Sequence, residues 1–184
     1  MRPQGFTLIE LMVSIVVIGM LAAFTTSFYK SNQRDQVIDE LIENVLHIKN
    51  NIIDEFAVEL NYSGLTEEFA IAAGIFPPDI EVDANGKCRL RVGSLRCKVN
   101  ELITAGMKPD YLDQSAGFQI VIRSVPNPYC FPLVTKLRKY FKFVGFPGTG
   151  VIQSHQVSYS EANARSHCFG LDEDGSSDLR VGHY

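Results

Sequence analysis

An apolar run begins abruptly at Phe6, after the short polar leader Met-Arg-Pro-Gln-Gly, and carries no charge from Leu11 to Phe28. A helix needs roughly 20 apolar residues to cross a bilayer, so the run is just long enough. Leu8 and Ile9 extend it upstream, and Glu10 interrupts it. A carboxylate at that depth costs about 2.5–3.5 kcal/mol on insertion scales. An ionisable group held at such a cost calls for a partner and a job.

A secretory signal peptide places its small-residue cleavage site after the apolar core. Here the small residue, Gly5, precedes the core, and Leu21-Ala22-Ala23 is the nearest candidate behind it. A plain membrane anchor leaves Glu10 unexplained. The order Gly5-Phe6-Thr7-Leu8-Ile9-Glu10, followed by an apolar run, resembles the class III leader of type IV pilins and pseudopilins. The resemblance implies that a prepilin peptidase cuts between Gly5 and Phe6 on the cytoplasmic side and then N-methylates Phe6. It makes Gly5 the cleavage-site glycine, Phe6 the methylated first residue and Glu10 the assembly glutamate. Gly19 also fits the family, whose helices often loosen near this glycine in the filament. At Ser27 many members have a proline, so local helix opening here rests on Gly19 and the β-branched Thr25-Thr26 pair.

The physics of Glu10 stands beside that analogy. Cutting after Gly5 creates an ammonium at Phe6, four residues from Glu10. Opposite charges attract strongly in low dielectric, but each is costly to desolvate. Pairing between neighbouring subunits offsets that cost only in the assembled state, which couples assembly to register.

The rest of the chain reads as an ordinary soluble domain, within a total of 184 residues and a net charge of −4. No global basic field demands nucleic acid. The four cysteines all lie beyond the apolar run and form no C-x-x-C pair, which speaks against a zinc knuckle or thioredoxin-type site. In the topology that the leader implies, they face an oxidising compartment, where disulfides are the default.

Residues 29–60 continue as an amphipathic helix. Ile38, Leu41, Ile42, Val45, Ile48, Ile52, Ile53, Phe56 and Leu60 recur at three- and four-residue steps. A one-sided helix of this kind calls for a sheet packed on it. Asn61-Tyr62-Ser63-Gly64 ends it, Thr66 caps a short helix through Ala73, and Gly74 stops that one. A faint echo of this unit, also read as a short helix, spans 100–109. Asn85-Gly86 marks a turn. Cys88 to Cys97 alternates like a hairpin turning near Gly93, and a Cys88–Cys97 bond would pin its register. Arg89, Arg91 and Arg96 read as a solvated face there.

Phe118–Val125 is the best strand. Pro132 suits the first turn of a helix running to about Phe141. Val151-Ile152 and 156–158 suggest short strands, Ser160 caps a helix through His167, and Leu179–Val181 suggests a final edge strand. Cys130 and Cys168 enclose a loop of nearly forty residues. Such a loop, with its strand-Pro-x-x-x-Cys-helix order, resembles the type IVb pilins, as does the sequence from Leu41 through Pro78.

Lys136, Arg138, Lys139 and Lys142, near Tyr140, Phe141, Phe143 and Phe146, have the composition of a single-strand nucleic-acid grip, but read better as a helix with a wet basic side and a buried aromatic side. His47, His155, His167 and His183 lack metal-ligand spacing. Asp172, Asp174 and Asp178 around Gly175 read as a solvated acidic turn rather than a calcium loop, lacking EF-hand spacing. No nucleophile motif and no phosphate-binding loop is present, so the expectation is a non-enzyme with no cofactor and no metal.

The sequence therefore predicts an α+β, pilin-like fold. It has a leader at 1–5, a transmembrane and polymerisation helix at 6–28, its amphipathic continuation at 29–60, and a head at 61–184 closed by disulfide. The expected function is a structural subunit of a bacterial type IV pilus, held in the inner membrane and then stacked into a filament that spans the periplasm and leaves the cell. Implied partners are further copies, other pilins, the prepilin peptidase and an inner-membrane assembly platform driven by cytoplasmic ATPases. The alternatives are a minor pilin, a type II secretion pseudopilin, and a tip adhesin or DNA-binding pilin.

Overall fold

The computed structural model describes residues 7–59, 61–78, 80–82, 88–89, 96–101, 116–147, 150–169 and 176–184, with backbone alone for 26–32, 81–82, 88–89 and 96–101. Two compact units emerge, Met1–Val37 and Ile38–Tyr184. Helix α1 (Leu8–Glu55) contributes to both.

In the first unit, α1 is apolar all round from Leu11 to Thr25, and from Leu8 to Thr25 no residue is buried. Its hydroxyls fold back on the helix: Ser14 Oγ donates to the Glu10 carbonyl at 2.7 Å and Thr25 Oγ1 to that of Ala22 at 3.0 Å. In hydrocarbon, where water is absent, such internal bonds are the way a hydroxyl is satisfied. The helix runs unbroken through Gly19 and Thr25-Thr26, so the opening considered there is absent from the single subunit. A helical hydrogen-bond ladder outweighs the modest propensity cost of one glycine and two β-branched residues.

The second unit is built on an antiparallel sheet in the order β1-β2-β3-β4-β7-β5-β6. Its strands are β1 (Glu81–Val82), β2 (Cys88–Arg89), β3 (Arg96–Glu101), β4 (Phe118–Pro126), β5 (Phe143–Phe146), β6 (Gly150–Gln153) and β7 (Ser176–His183). The helices are the last part of α1 with α2 (Glu67–Ala72), α3 (Asn127–Leu137) and α4 (Glu161–Phe169). Ile38, Leu41, Val45, Ile48 and Ile52 of α1, and Phe56 in the turn after it, share one core with Phe118, Ile120 and Ile122 of β4 and Leu179 and Val181 of β7; the helix stops at Glu55, short of the expected Leu60. Period-3.6 and period-2 apolar patterns meet there, as a helix stripe on a sheet face requires. Gln119 and Val121, on the other face of β4, are buried too, so the centre of the sheet is covered on both sides. Phe143 anchors a small second cluster with Val151 and Tyr184.

Local chemistry sets the element ends. Thr66 Oγ1 accepts from Phe69 N at 3.2 Å and caps α2, and Gly74 takes the left-handed φ of +68° that ends it. Ser160 Oγ accepts from Asn163 N at 3.4 Å before α4. A bulge between Ile122 and Val125 puts Ser124 at φ +57°, and Asp178 Oδ1 accepts its N–H at 2.9 Å.

Several expectations need correction. Helix α3 begins at Asn127 with Pro128 in its first turn, not at Pro132, which lies inside it. Its missing N–H removes one bond, and buried Cys130, Leu133, Val134 and Leu137 hold the helix instead. The helix also stops at Leu137, and Phe143–Phe146 forms β5. Asn100 and Glu101 belong to β3, not to a helix; 102–109 lies outside the described residues, as does Asn85-Gly86. Residues 156–158 form no strand. The last strand is internal, flanked by β4 and β5, and not at the sheet edge. Its alternating Leu179 and Val181 could equally have belonged to an edge; only the pairing of β5 across it settles the place.

Candidate functional site

Gly5 and Phe6 lie outside the described residues; Thr7 is the first of them. Thr7 and Glu10 form a reciprocal pair at the start of α1. Glu10 Oε2 accepts from Thr7 N and from Thr7 Oγ1, both at 3.2 Å, and Thr7 Oγ1 accepts from Glu10 N at 3.4 Å. This is a capping box: two otherwise orphan amides of the first turn are satisfied together. The carboxylate also lies at the positive end of the helix dipole. Sequence reasoning singled out Glu10 but missed Thr7, although Thr-x-x-Glu ahead of an apolar run is the signature of the motif. The box aims the carboxylate back along the chain, toward the peptide nitrogen of the residue after Phe6.

Cys130 of α3 and Cys168 of α4 are joined, with Cα atoms 5.6 Å apart across 38 residues. The bond staples α3 to α4. By chain entropy, a loop of this size contributes roughly 4 kcal/mol. Cys88 and Cys97 are Cα partners in the β2–β3 ladder.

The basic stretch after Cys130 is dispersed rather than pooled. Lys136 bonds Asp39 of α1. The Arg138 guanidinium lies 4.1 Å from the centre of the Tyr159 ring. Phe141, Phe143 and Phe146 are buried, leaving Tyr140 as the exposed aromatic of the four. A stacking platform for bases is therefore missing from this stretch.

Farther along, three basic groups from three elements converge. Lys49 Nζ donates to the Tyr140 carbonyl at 2.8 Å and lies 5.3 Å from the centre of the Phe141 ring. Lys142 N bonds the Gly182 carbonyl at 3.0 Å, beside His183, which stacks on Phe118. Burial, then the neighbouring Lys142, pulls the Lys49 pKa below the ordinary lysine value. Burial first, then Lys49, holds His183 below the ordinary histidine value, outweighing the opposing hydrogen bond to Tyr184; Lys142 adds to the depression. Tyr62, edge-on to Phe118 at 4.9 Å between ring centres, is raised by burial. No sequence spacing announced this convergence, which depends on the pairing of β7 and the turn after α3.

Asp178, one of the acidic-turn residues, is engaged by Ser124, while Asp172 and Asp174 lie outside the described residues. Among the described residues, no group of three His, Cys, Asp or Glu side chains is arranged to hold a metal ion.

Against known proteins, residues 1–26 match the prokaryotic N-terminal methylation motif. The capping box and the exposed apolar helix fall within that match. No curated protein matches the chain in sequence. Among solved structures, the chain is similar to TcpA, a type IV pilin from Vibrio cholerae El Tor biotype, at 14% identity and a TM-score of 0.58. That match covers 81% of this chain and 99% of that one. The type IVb pilin of Salmonella typhi is similar at 14% identity and a TM-score of 0.53, over 78% and 96%. The fold is that of a type IV pilin. At these identities the likeness concerns architecture: a pilin fold of long apolar helix, antiparallel sheet and disulfide-stapled C-terminal region. Pilin-type leader and pilin fold, found by independent comparisons, occur in one chain.

Proposed function

We propose that this chain is a structural subunit of a bacterial type IV pilus, of the type IVb kind. The supporting observation is the methylation motif at 1–26 running straight into an apolar helix that is unburied from Leu8 to Thr25, in a chain with a pilin fold. An apolar surface of that extent in a single subunit needs lipid or other copies of itself. The prepilin peptidase cuts between Gly5 and Phe6 and methylates Phe6. The mature subunit waits in the inner membrane, head in the periplasm, and enters a filament that leaves the cell. The long loop closed by Cys130–Cys168 supports the type IVb assignment. Cys88–Cys97 forms the second disulfide, consistent with their facing positions in the ladder.

Glu10 ties processing to assembly. In the single chain its carboxylate is held by Thr7. In the filament it takes the Phe6 ammonium of a neighbour as counterion, which offsets the cost of burying both. Glu10→Ala is expected to insert and be processed normally, with subunits in sheared filaments falling at least about tenfold, the scale of an unpaired buried charge. Normal filament yield from that variant would refute the role.

Mass spectrometry of the mature N-terminus, with subunit abundance in sheared surface filaments, tests the whole reading. The expected first residue is N-methyl-Phe6 in an abundant filament protein. A mature chain starting elsewhere, or a free periplasmic monomer, overturns the reading; scarcity in filaments makes it a minor pilin or pseudopilin.

A further inference from the structure

Helix α1 carries unpaired acidic charge on its outward side. Glu40, Glu43 and Asp54 are all exposed. At about 100° per residue, they lie roughly 120–180° around the helix from Lys49. The basic groups gather on the other flank, where Lys49 meets the turn after α3: Lys142 is exposed and Lys49 and His183 half-buried, with Lys139 exposed in the same turn. Among the described residues, the ion pairs are Arg34–Asp35, Lys136–Asp39 and Arg165–Glu161, and none involves these groups. Lys142 instead disfavours the charge of Lys49, and both disfavour that of His183. A cation group that no described carboxylate neutralises, in a chain of net charge −4, is an anomaly that an external carboxylate removes.

We propose that the Lys49–Lys139–Lys142–His183 flank of one head docks on the Glu40–Glu43–Asp54 face of α1 in a second copy of this chain. The two patches are complementary in sign and point in different directions, so one copy uses both at once. A contact between two different surfaces is heterologous, and unless the rotation closes it propagates without limit. This deepens the pilus reading and rests on it, adding a second, charge-based contact in the heads. Nucleic acid fits the basic flank less well, because Phe141, Phe143 and Phe146 are buried and the head presents an acidic face as well.

Zero-length carbodiimide treatment of sheared wild-type filaments tests the contact, since it joins a lysine to a carboxylate only where they touch. Peptides joining Lys49, Lys139 or Lys142 to Glu40, Glu43 or Asp54 are expected from filaments and not from detergent-solubilised monomer. Lys142→Glu is expected to lower filament yield roughly tenfold with an unchanged membrane pool, as reversal of an interfacial charge does. Adding Glu40→Lys and Glu43→Lys is expected to restore it. Abundant filaments without these cross-links overturn the proposal alone, as does wild-type yield from Lys142→Glu or failure of the double reversal to rescue. Loss of salt-sensitive DNA retention in Lys142→Glu with filaments unaffected overturns it in favour of nucleic acid. Absence of the wild-type chain from filaments overturns the pilus reading and this contact with it.

Discussion

Between Leu8 and Thr25 no residue of α1 is buried, whereas Ile38, Leu41, Val45, Ile48 and Ile52 on the same helix are wholly so. Both stretches are rich in Ile, Leu and Val. They differ in where the polar residues fall. From Ile38 onward, acidic and amide side chains fill one side and confine the apolar groups to a stripe, which a sheet face covers. Before Thr25 nothing confines them, so no single intramolecular surface can satisfy the helix. In the proposed pilus subunit, the difference separates folding from assembly: one stretch is a stability element, the other a contact surface held in reserve.

Substitutions of similar chemistry in the two stretches test this directly. Ile48→Ala is expected to destabilise the head by about 2–5 kcal/mol, through lost burial and the cavity left behind. Ile18→Ala, in the exposed stretch, is expected to leave thermal unfolding of the detergent-solubilised chain unchanged. Equal effects would break the comparison. Replacing Cys130 and Cys168 by Ser is expected to cost the head about 2–4 kcal/mol while leaving membrane insertion intact, measured by unfolding and by fractionation. Gly150→Ala comes next, at about 1–3 kcal/mol, the range of an overpacked site. A Cβ there would collide with the His167 ring, which is itself stacked on Phe146 at 5.5 Å between centres.

The smallest effect is a pH slope. His183 titrates below 6.5 in the folded head, so between that lower value and 6.5 the unfolded chain binds more protons. Stability therefore rises with pH across that window. The contribution is complete above about 6.5 and lost as pH falls through the folded value. His183→Phe is expected to flatten this part of the profile, and an unchanged slope would move its origin to another group.

The helical half of the molecule was legible because its signals are local. Stripe spacing in α1, the Thr66 cap and Gly74 stop all act within a few residues, and the structure repeats them. The Thr7–Glu10 box is equally local, but the charge of Glu10 inside an apolar run masks its second role as a cap. Sheet order was not legible. The Leu179–Val181 pattern gave a strand but not its neighbours, and Phe143–Phe146 was hidden among residues read for their aromaticity. The flank of Lys49, Lys142 and His183 was beyond any spacing argument, because its members are distant in sequence and only β-pairing joins them.

One consequence of the strand order concerns crowding. Among the described residues both outermost strands are short, β1 with two residues and β6 with four. In the proposed pilus, the described edges of subunits packed shoulder to shoulder therefore present little free backbone for lateral strand addition, the reaction that turns dense arrays of β-proteins into permanent aggregates. Cohesion is left to side chains and helices, whose contacts can be broken as well as made. The proposed pilus, held on such terms, could be dismantled without unfolding its members.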